Sequence, residues 1–586
     1  MTTEIAAKQD LVIRIAGESG EGVISTGDFV TQAAARAGFE VITFKTYPAE
    51  IKGGHCLYQL RLGDKKLYSE GDELDILIAF NQEAYDRHYE ELKQGGLLIY
   101  DGGAFEPSHD PEHLHYNVPL SEIARTKLKF ELGKNVVAVG VVSALFGLPR
   151  EFIVKLLTEK FTRKGEDVVK KNMQALDAGI EYVEQHITDR SQFQLHHSAT
   201  NPDIIIVSGN QSLSMGVIAA GCRHIFGYPI TPATDVLEFL IAEFPKLGGA
   251  SVQAEDEIAS IGMVMGASYA GHKAITSTSG PGLSLMVEWL GYGSMAEIPA
   301  MIVDVQRAGP STGMPTKHEQ GDLNLAVFGG AGEIQRLVMA PVSVEDCFWQ
   351  MINAFNFSEK YQMPCIFLSD TTLANRTESI KKPDLSKVKL IERQTLESNG
   401  HQSSENFKRY ELTESGISPM SLPGQRGGQY VSTGLEHSEY GRPRYDTKSH
   451  TSMTEKRFRK LALLAIDPDL PEAARMGDPE AEIGLITWGS TWGIVEEVVM
   501  LAAEKGIKVD AIAPKLVWPL PTNQLDQFMK SKRVIICPEV NYTGQFAELL
   551  KAHYLRPIVK VNTYSGAPFK GSQILAVVER EAQANA

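Results

Sequence analysis

The sequence predicts an α/β protein built from three α/β domains. A buried-strand pattern, a glycine turn and a helix rich in small or amphipathic residues follow one another near residue 11, again near residue 203 and again near residue 482. Strands alternating with helices imply parallel sheets with covered faces. A length of 586 residues suits three or so domains, and 43% hydrophobic residues supply several full cores.

In chain order, LVIRIA (11–16) reads as the first strand. GESGEG turns it into STGDFVTQAAARAG, an amphipathic helix ending at Gly38. FEVITFKTYP, LDILIAF and GGLLIYD read as further strands, and the chain from VVAVGVVSALF to about residue 186 reads as helices packed alongside. The polar, aperiodic stretch 191–202 reads as a linker. The second unit opens on DIIIVSGNQSLSMGVIAAGC, a strand ended by Gly209 and followed by a small-residue helix, and continues with the strands ITSTSG, AMIVDVQ and CIFLSD. Residues 385–480, rich in Gly, Ser, His, Arg and Pro, fit a long connecting excursion better than a core. A third unit starts near Glu482 with IGLITWGSTWGIVEEVVMLAAEKG, followed by KVDAIAPKLVWPLP, RVIICPEV and PIVKVNTY.

A formal charge of −16 argues against broad nucleic-acid binding, which needs a basic face. No stretch approaches the run of about 18 uncharged apolar residues of a membrane span. The N-terminus MTTEIAAKQD lacks the basic-then-apolar layout of a signal peptide, so the expected location is the cytoplasm. Cys56, Cys222, Cys347, Cys365 and Cys537 are scattered singly with no C-x-x-C pair, which excludes the common zinc and iron–sulfur spacings; no metal site is expected within the chain.

Glu257, in QAEDEIASIGMVMGASYAG, opens an apolar, small-residue helix pattern, and Pro229-Ile230-Thr231-Pro232 forms a tight turn upstream of it. An acid so placed usually has to be buried, and a buried carboxyl can hold its proton near neutral pH. That proton suits one ring nitrogen of a bound heterocycle. The plainer alternative is a first-turn acid that stabilises a helix N-terminus, and Glu255 competes for the same role. Thr231 either points its hydroxyl at a ligand or satisfies the turn backbone. Arg307 and Thr316 lie in a Gly/Pro-rich loop leaving the end of AMIVDVQ, where ligands of open α/β sheets bind. Arginine offers a two-pronged match to a carboxylate. GESGEG carries glycines at 17, 20 and 22, the reverse of the dinucleotide fingerprint, so a nicotinamide-dependent dehydrogenase is disfavoured.

FGYPITPATD, EDEIASIGMVMGASYAGHKAITSTSGPGLSLM and VDVQRAGPSTGMPTKHEQGDL resemble the pyrimidine-binding domain of the 2-oxoacid:ferredoxin oxidoreductases. IRIAGESGEGVISTGDFVTQAAARAGFEVITFKTYPAEIKGGHC resembles the gamma domain of the same enzymes. The order gamma then alpha in one chain is similar to the fused subunit of the enzymes acting on 2-oxoglutarate. The resemblance implies a gamma-type domain at 1–190, a thiamine-diphosphate pyrimidine-binding domain at 203–384, the excursion at 385–480 and a transketolase C-terminal-like domain at 481–586.

The implied activity is reversible, coenzyme-A-dependent oxidative decarboxylation of 2-oxoglutarate to succinyl-CoA and CO2, with electrons passed to ferredoxin. Pyruvate or another 2-oxoacid is the alternative. By resemblance, Glu257 holds the aminopyrimidine and is catalytic, with Pro229, Ile230 and Thr231 beside the cofactor. Thr231, Arg307 and Thr316 contact substrate, and Lys317 or His318 reaches a second carboxylate. Gly20, Gly22, Lys45 and Lys52 are the candidates for coenzyme A. The Gly-Asp-Gly turn that carries diphosphate and magnesium in this family occurs nowhere in the chain. Thiamine diphosphate is therefore expected to be shared with a beta subunit that also holds Mg2+ and a 4Fe–4S cluster, in a heterotetramer of paired alpha–beta units that is inactive without the beta chain.

Overall fold

The computed structural model describes residues 10–48, 53–108, 110–188, 201–396 and 407–584. They divide into two compact units, Met1–Val207 with Arg376–Lys382, and Ser208–Asn375 with Pro383–Ala586.

The first unit is built on an eight-stranded sheet. Its order is Leu114–Asn117, Leu92–Tyr100, Leu74–Ala79, Asp10–Glu18, His55–Gly63, Glu40–Thr46, Thr377–Lys381 and Ile204–Ser208. The first four run parallel. His55–Gly63 is antiparallel to both its neighbours, so the sheet is mixed and not purely parallel as the sequence pattern implies. The burial of that strand does not alternate, because both its faces are covered. Ile204–Ser208, expected to open the second domain, sits at the edge of this first sheet, beside a return strand from residues 377–381. The linker reading at 191–202 falls largely outside the described residues. Two helices close the core where glycines let their backbones meet. A Cβ on Gly140 of Lys134–Phe146 would lie 2.2 Å from the Leu176 carbonyl, and one on Gly179 of Glu166–His186 would lie 2.2 Å from that of Val137.

In the second unit a seven-stranded sheet runs Leu516–Trp518, Leu337–Met339, Pro364–Asp370, Ala300–Gln306, Ala274–Thr278, His224–Gly227, Ala250–Gln253. All are parallel except Leu516–Trp518, which the C-terminal part of the chain lends to the edge. A five-stranded sheet follows, from Ala474–Gly477 to Val559–Asn562. Ala300–Gln306 and Pro364–Asp370 are buried along their whole length, which explains their near-continuous apolar reading.

The described part of the excursion, 385–396 and 407–480, is firmly packed. It contains the helix Thr447–Leu464, whose Lys456 and Lys460 bond the buried Glu297 carboxylate at 2.7 and 2.9 Å. Arg393 grips Glu359 with Nε and Nη2 at 2.5 and 2.6 Å, and Arg409 donates to the Glu297 carbonyl at 2.7 Å. Charged residues in a stretch that reads as a connecting excursion are here buried and paired. Among the described residues no helix is long and apolar enough to cross a membrane, and all five cysteines are free and buried.

Candidate active site

Parallel strands send their following loops to one edge of the sheet. The loops after His224–Gly227, Ala250–Gln253, Ala274–Thr278, Ala300–Gln306 and Pro364–Asp370 therefore gather at the carboxyl edge of the seven-stranded sheet. They carry Pro229-Ile230-Thr231-Pro232, Glu257, the Gly280-Pro281-Gly282 turn, Arg307 to Asp322, and Asp370.

Glu257 is the first residue of the helix Glu257–Tyr269 and is 7% exposed. Asp256 takes the capping role, its side chain accepting the Ala259 N–H at 2.7 Å. The Glu257 carboxyl is left free to turn inward, and it makes no hydrogen bond to another described residue. Glu255 is exposed. The helix Gly280–Met295 begins directly against the acid: a Cβ on Gly282 would lie 2.7 Å from Glu257 Oε1 and 2.0 Å from Thr278 Oγ1. Glycine is required there by the close approach, a constraint that only the SGPG run hints at in the sequence.

Pro229 and Ile230 are half-buried, and Thr231 is exposed at the turn. Arg307 is 8% exposed, and its Nη1 donates to the Thr231 carbonyl at 2.8 Å, joining two loops that lie far apart in sequence. Burial lowers the Arg307 guanidinium from its ordinary value, and the nearby Asp322 and Asp304 oppose that. The loop beyond Arg307 doubles back: Ala308 N–H donates to the Lys317 carbonyl at 3.0 Å and Met314 N–H to the Ala308 carbonyl at 2.9 Å. Thr316 and Lys317 are half-buried on it. His318 is buried, its Nδ1 3.5 Å from Asp370 Oδ1 and its N–H bonded to the Gly566 carbonyl at 3.0 Å.

Residues the sequence reading passed over hold this loop in place. Gln320 is fully buried; its N–H donates to the Val540 carbonyl at 2.7 Å, and its side chain bonds Asp370 Oδ2 at 3.2 Å and Thr491 Oγ1 at 3.1 Å. Gln545 Nε2 donates to the Gly321 carbonyl at 2.7 Å. The C-terminal part of the chain thus fixes the far end of the arginine loop. No local pattern marks these glutamines, because their partners lie 50 to more than 200 residues away.

In the first unit Gly20 and Gly22 adopt φ values of 101° and 90°, and Gly22 caps the helix Val23–Arg36. Glu21, which would repel a phosphate if it faced outward, turns in to Lys134 at 3.0 Å and Asn81 at 2.7 Å. Lys45 pairs with Asp28 at 3.1 Å. Lys52 lies outside the described residues.

Three family models match the chain: "Pyruvate ferredoxin/flavodoxin oxidoreductase" over 12–182, "Pyruvate flavodoxin/ferredoxin oxidoreductase, thiamine diP-bdg" over 215–456, and "Pyruvate:ferredoxin oxidoreductase core domain II" over 481–574. The subunit KorA of a 2-oxoglutarate oxidoreductase from Mycobacterium tuberculosis is 33% identical over 97% of this chain and 90% of its own length. A 2-oxoacid:ferredoxin oxidoreductase alpha subunit from Aeropyrum pernix is 31% identical over 97% of both chains. A solved 2-oxoglutarate:ferredoxin oxidoreductase from Magnetococcus marinus, with 2-oxoglutarate, coenzyme A and succinyl-CoA bound, is 43% identical; it covers 98% of this chain and 100% of that one, with a TM-score of 0.93.

Proposed function

Because the chain belongs to the 2-oxoacid:ferredoxin oxidoreductases, as an alpha subunit, we propose that it works in a 2-oxoglutarate:ferredoxin oxidoreductase, converting 2-oxoglutarate and coenzyme A to succinyl-CoA and CO2 and passing two electrons to ferredoxin. The observation that carries the reading is the buried Glu257 carboxyl with no hydrogen-bond partner among the described residues, set against a glycine helix start in the same loop cluster as Arg307.

Thiamine diphosphate, when bound, supplies a carbanion that adds to the 2-oxo carbon and accepts the electrons of decarboxylation. Glu257 fits its aminopyrimidine: a buried carboxyl in a glycine-lined recess is placed to hydrogen-bond a ring nitrogen, and Pro229, Ile230 and Thr231 stand along the same edge. Arg307, pinned through Nη1 to Thr231, keeps other N–H groups for the 2-oxoacid carboxylate. Thr231 and Thr316 offer hydroxyls beside it. Lys317 is the loop cation for the second carboxylate, while His318 acts from beneath the loop through Asp370.

The chain has no Gly-Asp-Gly turn, so a beta subunit supplies the diphosphate and magnesium site and the 4Fe–4S cluster, and docks ferredoxin. The helices Glu257–Tyr269 and Gly280–Met295 expose Ile258, Met263 and Leu285, an apolar face suited to that subunit. Two alpha–beta units form the assembly, which we place in the cytoplasm. Coenzyme A is assigned to the first unit, near Gly20, Gly22, Lys45 and Lys52; the solved relative with coenzyme A bound supports a site for it.

The test is turnover by the chain co-purified with its beta subunit. 2-Oxoglutarate should be used well ahead of pyruvate, the lone chain should be inactive, and Glu257→Gln should lower kcat by about 10²–10⁴-fold. Faster turnover of pyruvate would overturn the substrate assignment, and full activity of Glu257→Gln would overturn the site.

A further inference from the structure

Asp304 and Asp322 carry carboxyl groups for which the mechanism above has no use. Asp304 projects from the buried strand Ala300–Gln306 and is 0% exposed, and neither of its oxygens meets a hydrogen-bond donor among the described residues. Side chains two apart on a strand share a face, so Asp304 stands beside Gln306, whose Oε1 accepts the Asp322 N–H at 3.1 Å. Asp322 Oδ2 is also buried without a donor among the described residues. It lies under the glycine start of the Gly280–Met295 helix, where a Cβ on Gly280 would come within 2.6 Å of it. The charged groups facing this pair are Arg307, from the end of the same strand, and Glu319, from the loop leading into Asp322. The Arg307 Nε is buried without a partner among the described residues. One guanidinium therefore faces Asp304 and Asp322 before any acid substrate arrives, with Glu319 adding its charge to Asp322.

We propose that Asp304 and Asp322 act as a proton-sharing pair that positions and balances the charge of Arg307, so that binding of a 2-oxoacid carboxylate at Arg307 is coupled to uptake of a proton by the pair. This rests on the reading of Arg307 as the carboxylate-binding residue. The physical reason is the added negative charge: a further carboxylate in a poorly solvated site favours the neutral form of carboxyls already there. The proton comes from solvent, and loss of the substrate carboxylate as CO2 removes the charge and returns it. The carboxyls are already inclined this way. Burial raises Asp304 well above the usual carboxylate range, and the charge of Asp322 adds to it. Burial pushes Asp322 up to about 6, with Glu319 adding and Arg307 opposing.

The sign follows from linkage. A group whose pKa rises on binding takes up a proton between its free and bound values, and affinity falls as pH rises through that window. For Asp322 the window opens at about 6. The experiment uses the complex with its beta subunit and two readouts. One is the KM for 2-oxoglutarate between pH 6 and 8.5. The other is calorimetric titration with 2-hydroxyglutarate, which keeps the carboxylates but has no 2-oxo carbon, in buffers of different ionisation heat. Wild-type KM should rise by up to about tenfold per pH unit within the window and level off above it, with net uptake approaching one proton inside it. Asp322→Asn, which keeps the shape of the side chain, should flatten the KM profile and abolish uptake, and Asp304→Asn should reduce it. A purely structural role would lower stability or kcat without moving the pH profile. Absence of proton uptake in the wild type, or uptake unchanged in both variants, overturns the proposal. If Arg307→Ala binds the acids as tightly as wild type, the underlying site assignment fails instead. The wild-type proton count and Asp304→Asn keep the test decisive even if Asp322→Asn does not fold.

Discussion

Gly282→Ala is a one-atom test of the recess beside Glu257. The added Cβ would sit 2.0 Å from Thr278 Oγ1 and 2.7 Å from Glu257 Oε1 and Cγ, so both side chains must shift. Alanine improves helix propensity by about 1 kcal/mol, while overpacking costs about 1–3 kcal/mol. Net stability should fall by about 0–2 kcal/mol, leaving the chain folded. Cofactor binding should suffer more. A displaced Glu257 loses a charge-assisted hydrogen bond worth about 1.5–3 kcal/mol, and at about 1.4 kcal/mol per tenfold this weakens thiamine diphosphate by roughly 10–150-fold. The assay is equilibrium binding of thiamine diphosphate to the alpha–beta complex, with thermal melting run in parallel. A folded Gly282→Ala complex that binds the cofactor with wild-type affinity would refute the placement of Glu257 against the pyrimidine.

Other expectations follow from the same geometry. Glu297→Gln leaves Lys456, Lys460 and Arg409 buried around an uncharged side chain, and breaking such a network costs about 3–5 kcal/mol, readable as a lower urea midpoint; an unchanged midpoint would contradict it. Burial pulls the Lys456 ammonium down to about 7 despite its 2.7 Å bonds to both Glu297 oxygens. An unfolded lysine keeps its proton to about 10.4, so between these values the unfolded chain binds more protons and stability should climb with pH. Lys456→Met should flatten that climb between pH 7 and 9, and an unaltered slope would count against it. Gln320→Ala frees the far end of the arginine loop and should raise the KM for 2-oxoglutarate by about tenfold, with a smaller change in kcat, since it removes hydrogen bonds each worth about 1 kcal/mol; a KM equal to wild type would show that the loop needs no such anchor. Gly179→Val places carbon 2.2 Å from the Val137 carbonyl and should destabilise the first unit by at least about 1–3 kcal/mol; a melting curve like that of wild type would exclude the close helix crossing.

How much was legible depends on how local the signal is. Strands followed by a glycine and an apolar helix pattern are recorded in neighbouring residues, so the α/β class and the elements near Leu11, Ile275, Ile302 and Leu485 could be read directly. The placement of Glu257 at a helix start and of Arg307 in a loop at a strand end was legible from the residues around them. The strand His55–Gly63 escaped because Gln59 and Arg61 interrupt its apolar run, and their partners Arg14 and Asp10 lie far away in the chain.

Chain order, hydrophobic periodicity and the absence of a Gly-Asp-Gly turn were properties of the sequence alone, because each depends on residues adjacent to one another. Tertiary structure decided the rest. It put Ile204–Ser208 on the first sheet, buried Glu257 while leaving Glu255 in solvent, packed the excursion through Glu297, and brought Asp304 and Asp322 to one arginine. Burial and charge pairing arise from segments far apart in the chain, and only their packing sets the local dielectric and the partners each group meets.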